Sequence, residues 1–131
     1  MIKTITIEKK KKKSCIDITK TVEGIIDSQS FAQGMCTIFV SHTTAAVTTG
    51  EMGEGTDKDL LEVVERFIPD MRFRHAHDPG HAWSHMASSI IGASLSIPFQ
   101  NRKLLLGKWQ SVLLLELDGP RQRTVVVSIN Q

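Results

Sequence analysis

The chain has 131 residues, the size of one domain, and its 40% hydrophobic and 23% charged residues exclude a disordered or collagen-like chain. No stretch approaches the roughly 20 apolar residues that cross a bilayer, and the opening Met1-Ile-Lys-Thr-Ile-Thr-Ile has no apolar signal core; a cytoplasmic domain over residues 1–131 without a membrane partner is expected. Sixteen Lys and Arg against fourteen Asp and Glu give +2, but five of the sixteen are Lys9–Lys13, so eleven stand against fourteen elsewhere and the rest of the chain carries −3.

Ile2, Thr4 and Thr6 alternate with Ile5 and Ile7, which predicts a first strand ending at the lysine run. The run itself can meet phosphates on nucleic acid or a membrane, or can be a solvated turn whose lysines discourage pairing between edge strands. No aromatic residue is interleaved for base stacking, so the turn is favoured and no nucleic-acid partner is expected. Ser14-Cys-Ile-Asp-Ile then reads as the hairpin partner of the first strand. Asp17 or Thr19 caps a helix carrying Val22, Ile25 and Ile26, with Gly34 as its stop. Met35–Ser41 reads as a buried strand and Ala45–Thr49 as its continuation or a bend. A second helix, capped by Thr56 or Asp57, presents Leu60, Leu61, Val63, Val64 and Phe67 and ends at Pro69. Residues 69–80 form a loop, and a third helix runs from His81 to Ile91 with Gly92 at its end. The remainder is β-rich: 95–99, 103–106, 109–115 and 124–129. The pattern predicts an α+β domain, a mostly antiparallel sheet or β-sandwich with about three helices.

Four of the five histidines, His75, His77, His81 and His85, fall within eleven residues. His81 and His85 are four apart, so on a helix their imidazoles point the same way and can reach one metal ion. Asp78 can ligate or hold an imidazole in place. The intervening Ala82-Trp-Ser contains no glutamate, so this is not the metalloprotease H-E-x-x-H motif. A second constellation is Ser41-His42-Thr43-Thr44, three hydroxyls around a histidine at a strand end. Glu51 and Glu54 follow; they can bind a divalent cation, or can be acidic residues before a helix start. In the third, Arg121 and Arg123 suit a phosphate or carboxylate, or pair with Glu116 and Asp118 across a hairpin. Cys15 and Cys36 have no metal-type spacing and read as thiols buried in the core.

Taken together, these segments resemble the YjbQ family, described as secondary thiamine-phosphate synthases. The resemblance rests on His42-Thr-Thr-Ala45, the acidic stretch Glu51–Asp59, His75 with His85, Ser88-Ser-Ile-Ile-Gly-Ala-Ser-Leu95, Gly107-Lys-Trp-Gln110, Glu116-x-Asp118-Gly119 and Arg123. It implies an α+β homotrimer with a histidine-rich cleft near the subunit boundaries. His42 and His85 match directly. His75 matches by its spacing from Phe73 and His77 by the Asp that follows it; His75 is the favoured third histidine. Where the family carries Asn or Asp, this chain has His81, which shifts the expected metal toward zinc.

The resemblance implies a transferase that joins a pyrimidine-methyl diphosphate to a thiazole phosphate and releases pyrophosphate. The residues expected to act are His42, Glu51 and His85. Thr43, Thr44, Trp109, Glu116, Arg121 and Arg123 are expected to bind a phosphorylated small molecule. Zinc or magnesium is the expected cofactor, with His42, His75, His81 and His85 as metal ligands and Glu51 with Glu54 as a further cation site. A zinc hydrolase using His42, His75 and His85, or a non-enzymatic trimer binding a small anion or metal, are the alternatives.

Overall fold

The computed structural model describes residues 1–9, 11–69, 71–75 and 79–131. Twelve elements follow one another: β1 (Ile2–Lys9), β2 (Ser14–Asp17), α1 (Thr19–Asp27), β3 (Gly34–Val40), β4 (Ala45–Gly50), α2 (Thr56–Phe67), a 3-10 turn (Pro79–His81), α3 (Ala82–Ile91), β5 (Ser94–Gln100), β6 (Lys103–Leu104), β7 (Ser111–Glu116) and β8 (Arg121–Asn130). The strands form two antiparallel sheets, β1-β8-β3-β5-β6 and β2-β7-β4.

Alternation explains the large sheet. Along β8 the residues Arg123, Val125, Val127 and Ile129 are buried while their neighbours are half-exposed, the period of a strand with one covered face. With Cys36, Ile38 and Val40 of β3 and Ile97 and Phe99 of β5, Val125, Val127 and Ile129 pack against Val47 of β4, Val112 and Leu114 of β7, and Val22, Ile25 and Ile26 of α1. The opposite face of the small sheet, with Ala46, Leu113 and Leu115, meets Val64 of α2 and Ala87 of α3. Strand β7 is therefore covered on both sides, which is why it reads as an uninterrupted apolar run rather than an alternating one. The result is three layers: large sheet, small sheet, and a helical layer of α2 and α3.

Two expected connections are different. β1 and β2 do not form a hairpin, because β1 pairs β8 while β2 pairs β7; the lysine run carries the chain from one sheet to the other. Likewise β4 is not a continuation of β3 but a strand of the small sheet, so Ser41–Thr44 is a second crossing. Residues Leu117–Pro120, between β7 and β8, make a third. Gly34 opens β3 rather than stopping α1, which ends at Asp27. The glycine is needed for close approach, since a Cβ there would lie 2.0 Å from the Asn130 carbonyl oxygen.

Helix α2 has Gly55 as its N-cap, in the left-handed region at φ 82°, instead of Thr56 or Asp57. Of its apolar face only Val64 is buried, and Val63 and Phe67 are exposed. Among the described residues no helix is long and apolar enough to cross a membrane.

Candidate functional site

The inner rows of the two sheets run out of apolar residues at the same end. On β8 the row Ile129, Val127, Val125 terminates in Arg123; on β7 the row Val112, Leu114 terminates in Glu116. The two meet across the sandwich as a buried ion pair, with Arg123 Nε donating to Glu116 Oε1 at 2.8 Å and Nη2 to Oε2 at 2.5 Å. Nη2 also reaches the Thr44 carbonyl and hydroxyl oxygens, each at 2.9 Å. Glu116 Oε2 further accepts the Asp118 amide at 3.0 Å. The pair thus ties together the 41–44 and 117–120 crossings and caps the core. Arg123 is 2% exposed, and among the described residues its Nη1 has no hydrogen-bond partner.

Above the pair lies a cavity of about 780 Å³. Its walls are Ser41, His42, Thr43 and Thr44 from one crossing, Asp118 and Pro120 from the other, Arg121, Gln122 and Arg123 from the start of β8, His75 from the segment after α2, and His81 and His85 from the 3-10 turn and α3. The His42 Nε2 accepts the Thr124 amide at 2.8 Å, so in the neutral ring the proton sits on Nδ1, which becomes a donor. Burial, and then the Arg123 guanidinium, hold the His42 pKa below its ordinary value, consistent with a neutral ring. His81 Nδ1 contacts the Asp118 carboxylate, which also accepts Arg121 Nη2 at 3.1 Å. Burial of Asp118 works against its charge, but hydrogen bonds from His81 and Arg121 outweigh it and keep the carboxyl below its usual range. The rings of His75 and His85 stack at 5.0 Å with a 24° tilt. They also border a second, largely apolar cavity of about 540 Å³ that includes Phe73, Met86 and Ile90.

The structure brings together most of the expected site: His42, Thr43, Thr44, His75, His81, His85, Arg121 and Arg123 share one cavity. The salt-bridge alternative for the arginines holds as well, since Arg121 pairs with Asp118 and Arg123 with Glu116. Four residues, Glu51, Glu54, Trp109 and Glu116, fall outside that lining. Glu51 caps the approach to α2, its Oε1 accepting the Thr56 hydroxyl at 2.6 Å, and neither Glu51 nor Glu54 lines the cavity. Trp109 is 70% exposed in the turn before β7, beneath Lys108. Gln110 of the same motif closes that turn, its Oε1 accepting the Gly107 amide at 2.9 Å and its Nε2 donating to Thr49 at 3.1 Å. Glu116 lies behind Arg123 and is fully buried, so it positions the arginine rather than touching a ligand.

The four-histidine metal set does not form in this arrangement. Among the described residues no three His, Cys, Asp or Glu side chains gather where one ion could be held. At His42 the reason is visible, since its Nε2 lone pair already accepts an amide; the Asp118 contact of His81 takes only Nδ1. His77 and Asp78 lie outside the described residues. Cys15 and Cys36 are free thiols, both pushed up to about 11 with burial as the largest cause, so neither serves as a thiolate at neutral pH. Asp118 was legible only as an ion-pair partner; its place in the cavity wall follows from the crossing that carries it. Ser41, one of the three hydroxyls read beside His42, does line the cavity; Gln122 carried no site signal beyond its neighbours.

A two-sheet α+β protein with a polar cavity where the chain switches sheets is the class that fold and site define. The sequence profile of the UPF0047 protein YjbQ-like family matches residues 3–131, and the chain belongs to that family. UPF0047 protein YugU of Bacillus subtilis is 35% identical over 130 residues, covering 98% of each chain. A YbjQ-like protein from Sulfolobus solfataricus superposes with a TM-score of 0.91 at 32% identity, covering 98% of this chain and 95% of that one. A YjbQ/UPF0047 family protein from Clostridium acetobutylicum does so with 0.90 at 32% identity, covering 97% and 98%.

Proposed function

We propose that the cavity binds a phosphorylated small molecule and that the protein is a transferase of the thiamine-phosphate-synthase type. The observation that carries this reading is the convergence of the Arg123 guanidinium, the Thr44 hydroxyl and the neutral His42 ring on one cavity. Donors held rigidly by buried partners suit a developing anion, because they need no reorganisation when charge appears. In the reaction, the thiazole nitrogen uses its lone pair to form the new C–N bond as the methylene–oxygen bond breaks. The electron pair of that bond leaves on pyrophosphate. Arg123, Arg121, Thr43 and His42 Nδ1–H hold the leaving group, and His85 is the second candidate for proton transfer. The apolar cavity behind His75 and His85 offers room for the uncharged part of the substrate. Glu51 takes no part, since its carboxylate lies outside the cavity. Magnesium carried in on the diphosphate would supply further charge neutralisation, and we assign it no protein ligand. In line with the family resemblance, we read the working assembly as a homotrimer.

The test is pyrophosphate release from the two substrates, compared between wild type and Arg123→Lys, which keeps the charge but loses the fork. Turnover in the wild type with a loss of about 100-fold or more in the variant supports the reading. Pyrophosphate binding without turnover would make the protein a non-enzymatic anion binder instead.

A further inference from the structure

Resting on the reading of the cavity as a phosphate site, we propose that Lys11 and Lys12 form the outer lip of that site, a capture surface that draws a multiply charged phosphorylated molecule from solvent. The inner cations are already matched: Arg123 faces Glu116 and Arg121 faces Asp118. Paired charges cancel at a distance, so they grip a ligand at contact but attract little beyond a Debye length of roughly 10 Å. Outside the run, moreover, the chain is net −3, and an approaching polyanion is repelled by it. Any attraction at the mouth has to come from positive charge without a carboxylate partner beside it, and the exposed Lys11 and Lys12 are the candidates.

The placement rests on three contacts along the crossing. At its start, Lys9 is the register partner of Arg121, a wall residue of the cavity. In the middle, the Gly119 amide donates to the Lys12 carbonyl at 2.7 Å. A Cβ on Gly119 would lie 2.0 Å from the Lys11 carbonyl oxygen, so the lysine crossing and the Asp118-Gly-Pro crossing touch backbone to backbone. At its end, Lys13 pairs with Glu65 and sits 4.2 Å over the Trp83 ring. Lys11 and Lys12, both exposed, thus lie against Gly119, between the wall residues Asp118 and Pro120, while Lys13 turns toward a separate cavity. Fixed surface charge of one sign beside a cleft raises the local concentration of the opposite charge and speeds association.

The experiment titrates inorganic pyrophosphate into wild type and a Lys11→Gln/Lys12→Gln double variant, by calorimetry over a series of KCl concentrations. A control double variant, Lys3→Gln/Lys20→Gln, removes the same charge from exposed positions away from the rim. The proposal expects the rim variant to bind pyrophosphate about three- to tenfold more weakly at low salt, with a shallower salt dependence. It expects the two to converge at high salt and the control to track wild type. Equal losses in both double variants would show an effect of net charge alone and overturn the lip. Unchanged pyrophosphate binding in the rim variant would do so too, including where binding of an oligonucleotide is lost instead. Failure of wild type itself to bind pyrophosphate would refute the cavity reading, a result distinct from the others.

Discussion

At the scale of single residues, the site is organised by what lies beneath it. Arg123 and Glu116 occupy core positions of their strands, and a charge buried there is tolerable only because each satisfies the other. That pairing aims the guanidinium and, through the Thr44 carbonyl, fixes the strand end beside His42. His42 in turn is held neutral by burial and by Arg123, which makes stability depend on pH in a definite direction. As pH falls below about 6.5, the unfolded chain takes up a proton on this histidine that the folded protein resists. The stability is thus present above that pH and is lost on acidification toward the lowered folded-state value. Urea midpoints measured between pH 8 and pH 5 are expected to fall, and His42→Gln is expected to fall less. An equal decline in both proteins would show that the dependence arises from other groups. Asp118 acts further down: its depressed carboxyl contributes above its unfolded value near 3.8 and is lost only in stronger acid.

Among the elements, β7 and α2 stand at opposite ends of commitment. β7 has five buried residues in succession, Val112 to Glu116, because one face meets the large sheet and the other the helices. Leu113→Ala and Leu114→Ala therefore open cavities on opposite sides of the same strand, and each is expected to cost about 2–5 kcal/mol. In α2 only Val64 is buried, so Val63→Ala is expected to stay within about 0.5 kcal/mol. Chemical denaturation of the three variants checks the contrast. A leucine variant near wild-type stability would mean that one of the two cores collapses to fill the space. The single apolar stripe of α2 gave its helical period clearly but overstated its burial, since Val63 and Phe67 face solvent.

For the molecule as a whole, the decisive feature is that three crossings between the sheets lie side by side. The lysine run, Ser41–Thr44 and Leu117–Pro120 are linked by backbone bonds, Gly119 to Lys12 at 2.7 Å and Leu117 to Thr44 at 3.2 Å. The cavity sits among them because that is where both inner rows end in polar residues. Assembly belongs to the same scale. Met71, Met86, Ile90, Val63 and Phe67 are exposed among the described residues; the homotrimer remains what the resemblance implies. Sedimentation equilibrium is expected to give three times the 14.6 kDa chain mass; a monomer across the micromolar range would refute it.

The sequence by itself determined the elements, because period-2 and period-3.6 patterns are local properties of the chain. It also determined that His42, His75, His85 and Arg123 belong to one family pattern, but left open whether Arg121 and Arg123 bind an anion or pair with Glu116 and Asp118. Only the tertiary structure decided which strands pair, since β1 and β2 are neighbours in sequence but lie in different sheets. It placed Glu51 and Trp109 outside the lining of the cavity and Glu116 behind Arg123. It also committed the Nε2 of His42, one of the four expected metal-binding histidines, to a backbone amide. The physical reason is the same in each case: a motif records which residues occur together along the chain, whereas a cavity depends on where non-local pairing brings the strand ends.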